Sequence, residues 1–249
     1  MTNYIIEVEG VSKSYGGVVA NRDVSMRVPE GKITGLIGPN GSGKTTLFNS
    51  IVGYHPIDGG SIKFKGKEIS QLRVPQIARL GLLRTFQQTR IYTNMNCIDN
   101  MLMSVPHRKM GFADMFGERE GKETMEEVDH LLDFVGLYEK RKLRSGDLSF
   151  GQQKLLEFAM ALMNKPEVLL FDEPTAGINP TLINGLIDRL RRANEEFGIT
   201  LFVIEHNMRV IMNMAESIYC LAHGEMLAHG NPDEIQSDQR VIDAYLGAH

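Results

Sequence analysis

Apolar and polar positions along the chain follow two different periods, and the changes between them predict alternating strands and helices. Mainly apolar runs of strand length occur at Ile33–Ile37, residues 168–171 and Thr200–Ile204. Apolar residues recur with a helical period in residues 152–163 and in Pro180–Phe197, and each of these segments directly precedes one of the later runs. Strands that alternate with helices are typical of a parallel sheet, so the pattern predicts an α/β fold.

Other parts of the chain differ from this alternating core. The N-terminal part is predicted to be rich in strands, which are short extended segments at residues 5–9, 24–28 and 61–64. Residues 71–147 are predicted to be helical, and a hairpin around His223-Gly224 precedes a final helix at Gln239–Leu246. The sequence therefore predicts an α/β core that carries a helical insertion.

The composition and net charge of the chain bear on which molecules it could bind. The 249 residues are 42% hydrophobic and 23% charged, and the formal net charge is −4, which gives no reason to expect nucleic-acid binding. We interpret Arg189, Arg191 and Arg192 as a solvated helix face. The two cysteines, Cys97 and Cys220, lie far apart among apolar neighbours and are predicted to be buried free thiols.

No apolar run approaches the roughly 18 to 20 residues that a membrane-spanning helix needs. The first residues also lack the pattern of a signal peptide. If the protein serves a membrane, we expect it to do so as a peripheral subunit.

A glycine-rich motif follows the first buried strand and has the pattern GxxxxGK[ST]. It consists of Gly38, Pro39, Asn40, Gly41, Ser42, Gly43, Lys44 and Thr45, with Thr46 directly after it. Glycines let backbone N–H groups converge on phosphate oxygens, and the helix that follows presents its positive end to them. The Lys44 ammonium is expected to reach the β- and γ-phosphates, while the Thr45 hydroxyl ligates Mg²⁺. The motif predicts a nucleoside triphosphate site.

Two carboxylates come directly after the buried strand at residues 168–171. These are Asp172 and Glu173, and a parallel sheet would place them at its ligand-binding edge. We expect Asp172 to hold Mg²⁺ through water and Glu173 to polarise the attacking water.

The motif Leu148-Ser149-Phe150-Gly151-Gln152 stands ahead of this acidic strand and resembles the LSGGQ signature of ABC ATPases. The resemblance spans nearly the whole chain. It implies that residues Ser149, Phe150, Gly151 and Gln152 contact the ATP that is bound by another subunit.

Further family elements occur in the expected order. By resemblance, Tyr15 stacks on adenine, Gln87 contacts Mg²⁺ and faces the membrane subunits, Asn179 lies in the D-loop, and His206 is the switch histidine. The other histidines, among them His55, show no metal-ligand spacing.

The implied fold is a P-loop NTPase core with an N-terminal antiparallel β subdomain and a helical subdomain. The whole chain, residues 1–249, would form one ABC ATPase domain, in which residues of about 88–165 are inserted into a RecA-like core.

Two departures from the general pattern narrow the resemblance. Phe150 replaces a signature glycine and Asn179 replaces the usual D-loop aspartate; both, like the ending Tyr245-Leu246-Gly247, resemble the branched-chain amino-acid importer ATPases. Within that group the polar insertion at residues 107–120 is more similar to the LivG type than to the LivF type.

This narrower resemblance implies a set of partners and a place in the cell. The partners would be a second ABC ATPase (a LivF-like paralogue or a copy of the same chain), two transmembrane permeases and, indirectly, a substrate-binding protein. The location would be the cytoplasmic face of the membrane. Four residues beside Gln87 are expected to line a groove for a permease helix, namely Arg84, Thr89, Arg90 and Tyr92.

Alternative interpretations stay open at this point. A soluble ABC ATPase of the iron–sulfur assembly type fits the same motifs, and related importers carry urea or short amides. A GTPase-like switch is excluded because Asn164-Lys165-Pro166-Glu167 lacks the aspartate of a guanine-reading motif.

Overall fold

The computed structural model describes residues 3–85, 91–105 and 118–246, and all elements named below lie within these ranges. The strands are β1 (Tyr4–Tyr15), β2 (Val18–Pro29), β3 (Ile33–Ile37), β4 (Gly59–Phe64), β5 (Lys67–Glu68), β6 (Leu82–Arg84), β7 (Val168–Asp172), β8 (Thr200–Ile204), β9 (Ser217–Ala222) and β10 (Glu225–Gly230). The α-helices are α1 (Lys44–Ile51), α2 (Val74–Arg79), α3 (Cys97–Met103), α4 (Glu118–Phe134), α5 (Phe150–Leu162), α6 (Pro180–Phe197), α7 (Met208–Met214), α8 (Pro232–Ser237) and α9 (Gln239–Leu246). The described residues up to 84, 167–174 and from 190 onward form one unit, and those of 85–166 and 175–189 form a second.

The larger sheet of the first unit has six strands in the order β10-β9-β3-β8-β7-β6. Neighbours from β9 to β6 are parallel, whereas β10 pairs antiparallel with β9. Leu36 of β3 lies opposite Ile204 of β8, and Ile204 lies opposite Asp172 of β7. Because parallel strands end at the same edge of a sheet, the residues that follow β3, β7 and β8 come together there. This sheet confirms the predicted α/β core.

A second sheet, in the order β2-β1-β4-β5, is antiparallel and confirms the strand-rich N-terminal part. Strand β1 has twelve residues, so the prediction of a strand over residues 5–9 was too short. Gly10 has φ +63°, and the register shifts between Val8 and Val11, which breaks the alternation on which the prediction rested. Val8 and Val11 nevertheless join Phe48 of α1 in one buried cluster.

The stretch 71–147, predicted to be helical, also contains a strand. In β6, Arg84 lies opposite Leu170 of β7, and a strand of three residues is too short to show a period in the sequence. The prediction also missed the short helices α7 and α8, which begin after the N-caps Asn207 and Asn231. The pair Asn231-Pro232 repeats the start signal that marks α6 at Asn179-Pro180, so the sequence does carry a signal for α8.

The described part of the second unit contains α3, α4, α5 and the first half of α6. Within the stretch predicted to be helical, α4 begins at Glu118, and most of the polar insertion at 107–120 lies outside the described residues. The interpretation of Arg189 as solvated was wrong. Its Nε donates to the Val135 carbonyl at 2.9 Å and its Nη1 to the Gly185 carbonyl at 2.8 Å. These bonds hold the end of α4 against α6.

Two further predictions concern the cysteines and the membrane. Cys97 and Cys220 are buried free thiols, as predicted. Burial raises the pKa of both groups, and that of Cys220 reaches about 11. Across the described ranges, no helix combines the length and apolar character needed to cross a membrane.

The fully buried side chain of Asn100 joins three segments of the second unit. Its amide nitrogen donates to the carbonyls of Tyr92 (3.1 Å) and Asn96 (2.9 Å) and to the Ser145 hydroxyl (2.8 Å). Its oxygen accepts the Tyr92 N–H at 2.7 Å. The Ser145 carbonyl in turn accepts from the Gln153 amide at 3.3 Å, which connects Asn100 to the start of α5.

We predict that Asn100→Ala lowers the free energy of unfolding by about 3 kcal/mol, because it leaves several buried polar groups without partners. Chemical denaturation followed by circular dichroism measures this change. Asn94→Ala, which removes only an exposed contact with Arg144, is the control and should cost about 0.5 kcal/mol or less. Equal stability of the two variants would contradict the role of Asn100.

Candidate nucleotide site

The glycine motif forms the turn between β3 and α1, and two of its glycines are required by close packing. A Cβ on Gly38, whose φ is +146°, would lie 2.0 Å from the Leu221 carbonyl oxygen of β9. A Cβ on Gly43, whose φ is +99°, would lie 2.3 Å from the Ala20 carbonyl oxygen. Only glycine therefore lets the loop lie against both neighbouring segments.

Lys44 is folded back into this loop. Its ammonium donates to the carbonyls of Gly38 (2.8 Å) and Pro39 (3.0 Å) and contacts the Ser42 hydroxyl at 3.4 Å. Burial lowers the pKa of Lys44, and the negative charges of Glu173 and Asp172 oppose that effect. The structure therefore brings together the lysine and the two carboxylates that were predicted separately.

The Asp172 side chain is fully buried and is paired on one side only. Its Oδ2 accepts a hydrogen bond from Nη2 of Arg84 at 2.5 Å. Its Oδ1 is buried and has no hydrogen-bond partner among the described residues. A buried carboxylate oxygen without a partner suits a hard cation or the water bound to one. Thr45, the second predicted Mg²⁺ ligand, is exposed at the start of α1, so the oxygen donors present fit that ion.

The structure contradicts the prediction that Arg84 lines a groove for a permease helix. The groove interpretation required an accessible side chain, but only 11% of the Arg84 side chain is exposed, and it pairs with Asp172. Of the other residues predicted to line the groove, Tyr92 is exposed, whereas Thr89 and Arg90 lie outside the described residues. Gln87 also lies outside them, so its contact with Mg²⁺ stays a prediction.

Glu173 adopts a backbone conformation that is rare for a residue with a side chain. Its φ is +52°, in the left-handed region, and its N–H donates to the Ile204 carbonyl at 2.9 Å. His206 lies beside it, with Nδ1 at 3.7 Å from Glu173 Oε1. Strained backbone of this kind concentrates at functional sites, where surrounding packing holds it. The arrangement places a carboxylate and an imidazole at the edge that also carries Lys44.

Tyr15 is the last residue of β1, and its exposed ring is contacted by two neighbouring side chains. The His55 ring meets it edge-on, with 5.6 Å between centroids, and the Lys13 ammonium lies 5.5 Å from its centre. Lys13 is fixed by Asp58 at 2.8 Å. Both ring nitrogens of His55 are buried, and within the described ranges neither has a hydrogen-bond partner. The sequence pattern did not single out His55, because its contact with Tyr15 exists only in the folded chain.

A residue of the last helix also reaches the glycine loop. The Tyr245 hydroxyl accepts the Gly38 N–H at 2.8 Å, and burial raises the pKa of Tyr245 to about 12. In the sequence, Tyr245 is marked only by its place in the family-like ending Tyr245-Leu246-Gly247. Its contact with Gly38 joins α9 to the start of the nucleotide loop.

The signature residues lie in the second unit at the N-terminus of α5, which begins at Phe150 rather than at the predicted residue 152. Ser149 is the N-cap: its hydroxyl accepts the Gln152 N–H at 3.3 Å, and the Gln152 side chain accepts the Ser149 N–H at 3.1 Å. This capping box leaves the positive end of a thirteen-residue helix beside Gly151.

The two departures from the general pattern have local explanations. The Phe150 ring occupies the space beside Gly177, where an added Cβ would lie 3.0 Å from it. The Asn179 side-chain oxygen accepts from the N–H and hydroxyl of Thr181, at 3.1 and 2.9 Å, and so caps α6. Both residues therefore shape the loop that leads into α6.

Comparison with protein families gives two matches. A model described as ABC transporter matches residues 21–176, and one described as branched-chain amino acid ATP-binding cassette transporter matches residues 225–249. The high-affinity branched-chain amino acid transport ATP-binding protein BraF of Pseudomonas aeruginosa is 37% identical, and the alignment covers 99% of each chain. The corresponding protein LivG of Escherichia coli K12 is 33% identical, with the same coverage.

Solved structures agree with these sequence matches. The ADP conformation of an ATP-binding cassette of an ABC transporter matches with a TM-score of 0.85 and 30% identity, over 99% of this chain and 100% of that chain. A nucleotide-free ATP-binding cassette matches with a TM-score of 0.84 and 30% identity, over 98% and 99%. The fold class predicted from the sequence is therefore confirmed.

We predict that His55 makes the stability of the protein depend on pH. Burial lowers the pKa of its imidazole below the ordinary value near 6.5, so the folded chain favours the neutral ring. Its contribution is present above about pH 6.5 and is lost as the pH falls, because the unfolded chain then binds the proton more readily.

Denaturation at pH 7.5 and 5.5 tests this prediction. The wild-type protein should lose more stability between the two pH values than His55→Phe, which keeps a ring beside Tyr15 but cannot titrate. The exposed His223, replaced by Asn, is the control and should behave as the wild type. An identical pH dependence for wild type and His55→Phe would refute the prediction.

Proposed function

This chain belongs to the ABC transporter family, and on that basis we propose that it is the ATP-hydrolysing subunit of an importer for branched-chain or related amphipathic amino acids. One observation carries the enzymatic part: Lys44, Asp172 and Glu173 meet at one sheet edge, close enough for their charges to act on one another. The substrate part is supported by the family match of residues 225–249 and by the transport proteins named above.

Nucleotide binding would begin by releasing Lys44 from the loop. Its ammonium now bonds to the carbonyls of Gly38 and Pro39, and the β- and γ-phosphates would replace these acceptors. The loop N–H groups and the start of α1 would hold the remaining phosphate oxygens. The exposed face of Tyr15 would stack on adenine, a contact worth about 1–3 kcal/mol by analogy with other base stacking.

Thr45 and Asp172 would hold Mg²⁺ together with the phosphates. The ion, when bound, neutralises charge on the transferred phosphoryl group. Among the described residues, no cluster of three or more His, Cys, Asp or Glu side chains forms a metal cage by itself. A site completed by phosphates is the usual arrangement for Mg²⁺, which keeps several waters.

Glu173 would polarise the water that attacks the γ-phosphate and accept its proton, while ADP leaves with the β-phosphate oxygen. His206 lies 3.7 Å from this carboxylate and would orient it or contact the γ-phosphate. The left-handed backbone conformation of Glu173 sets the direction in which its carboxylate projects from the end of the strand. We therefore assign Glu173 as the general base.

Two such subunits would enclose two ATP molecules, each between the phosphate loop of one subunit and Ser149 and Gly151 of the other. The positive end of α5 supports this proposal, because it suits the charge of a γ-phosphate. The second ATPase would be a LivF-like paralogue or a copy of this chain. The pair would bind two permeases at the cytoplasmic face of the membrane and serve a substrate-binding protein through them.

We predict that Glu173→Gln retains ATP binding but lowers turnover about 10²–10⁴-fold, because the amide cannot accept the proton. Binding of a fluorescent ATP analogue and release of phosphate measure the two effects. The matched control is Glu216→Gln, which removes an exposed carboxylate paired with Lys32 and should leave turnover unchanged. Near-normal hydrolysis by Glu173→Gln would show that another group is the base.

The transport proposal has its own test in cells that lack this subunit. Uptake of labelled leucine should be lost, restored by the wild-type chain and not restored by Glu173→Gln, because closure without hydrolysis cannot reset the importer. Permeases should co-purify with the wild-type chain. If leucine uptake persists while urea uptake is lost, the substrate class is wrong and the ATPase assignment stands. If no permease co-purifies, a soluble ABC ATPase becomes the better description.

A further inference from the structure

Arg84 places a nearly buried guanidinium between two elements of the nucleotide site. It is the last residue of β6, the edge strand that pairs with β7. Its Nη2 donates to Asp172 Oδ2 at 2.5 Å, its Nη1 donates to the Asn49 side-chain oxygen of α1, and its Cζ lies 6.0 Å from the centre of the Phe48 ring. These contacts fix the guanidinium on both sides.

As a result, the two carboxylate oxygens of Asp172 have different surroundings. Arg84 engages Oδ2, and Oδ1 is the buried oxygen that lacks a partner in the described part of the chain. A planar guanidinium holds a carboxylate in a defined orientation, and carboxylates that serve metals are commonly held by such hydrogen bonds. Lys44 does not fill this role, because its ammonium is bonded to the loop.

We propose that Arg84 is a positioning residue for the metal site. By donating hydrogen bonds to Oδ2 of Asp172 and to the side-chain oxygen of Asn49, it keeps Oδ1 of Asp172 available to the hydrated Mg²⁺ that accompanies the nucleotide. The inference rests on the proposed function. It adds a residue from the strand just before Gln87 to a site otherwise built by β3, α1 and β7.

The measurement is the effect of Mg²⁺ on nucleotide affinity, taken as the ratio of the dissociation constants in EDTA and in excess Mg²⁺. A fluorescent, non-hydrolysable ATP analogue and the full-length chain are used, so turnover plays no part. Arg84→Gln should lower this ratio about 10-fold or more, the size expected when a partner of a metal ligand is removed. Its affinity in EDTA should stay within about threefold, because Arg84 has no role toward the phosphates.

Three other variants complete the experiment. Arg84→Lys keeps the charge but loses the planar fork, and should recover part of the ratio. Asn49→Ala frees one side of the guanidinium and should lower the ratio by a smaller factor than Arg84→Gln. Arg79→Gln removes an exposed arginine of α2 and should match the wild type.

Each remaining outcome decides the matter. An unchanged or higher ratio in Arg84→Gln overturns the proposal, and a higher ratio would mean that Arg84 competes with the ion. Equal weakening in EDTA and in Mg²⁺ also overturns it, because that is the result of general structural damage. If Arg84→Gln does not fold, Arg84→Lys and Asn49→Ala decide by the same criterion. A wild-type chain that binds no nucleotide contradicts the proposed function instead.

Discussion

The parallel register of β3, β8 and β7 is the constraint on which the nucleotide site depends. Leu36, Ile204 and Asp172 lie in one row across the three strands. The glycine loop, His206 and Glu173 each follow within a few residues of that row, so they reach the same edge although they are far apart in the sequence. A shift of one strand by a single residue would turn its side chains to the opposite face and separate the lysine from the carboxylates.

Several charged side chains at this edge of the sheet are buried from water. Asp172 is fully buried and Lys44 and Arg84 are nearly so, yet each charged group is hydrogen-bonded: Lys44 donates to loop carbonyls and Arg84 donates to Asp172. Burying charge is costly unless it is paired, so these groups stabilise the folded chain only as a set. The cation that can turn to incoming phosphates is Lys44, because Arg84 is held by Asp172.

Much of this site could be predicted from the sequence, because its signals are local. The glycine motif and the acidic strand end each depend on residues adjacent in the chain, and the structure has the first between β3 and α1 and the second at the end of β7. Arg84, His55 and Tyr245 could not be found in this way. Each acts through a contact with a residue more than 35 positions away, which only strand pairing and helix docking create.

The left-handed backbone at Glu173 also has a consequence for evolution and engineering. Position 173 is one that glycine or asparagine would occupy with less strain, so the fold by itself does not favour glutamate. On the assignment of Glu173 as the general base, it is turnover and not the fold that calls for glutamate at this position. Replacement by glycine would then be expected to relieve backbone strain while removing the proposed base, so a more robust protein would bind nucleotide without consuming it.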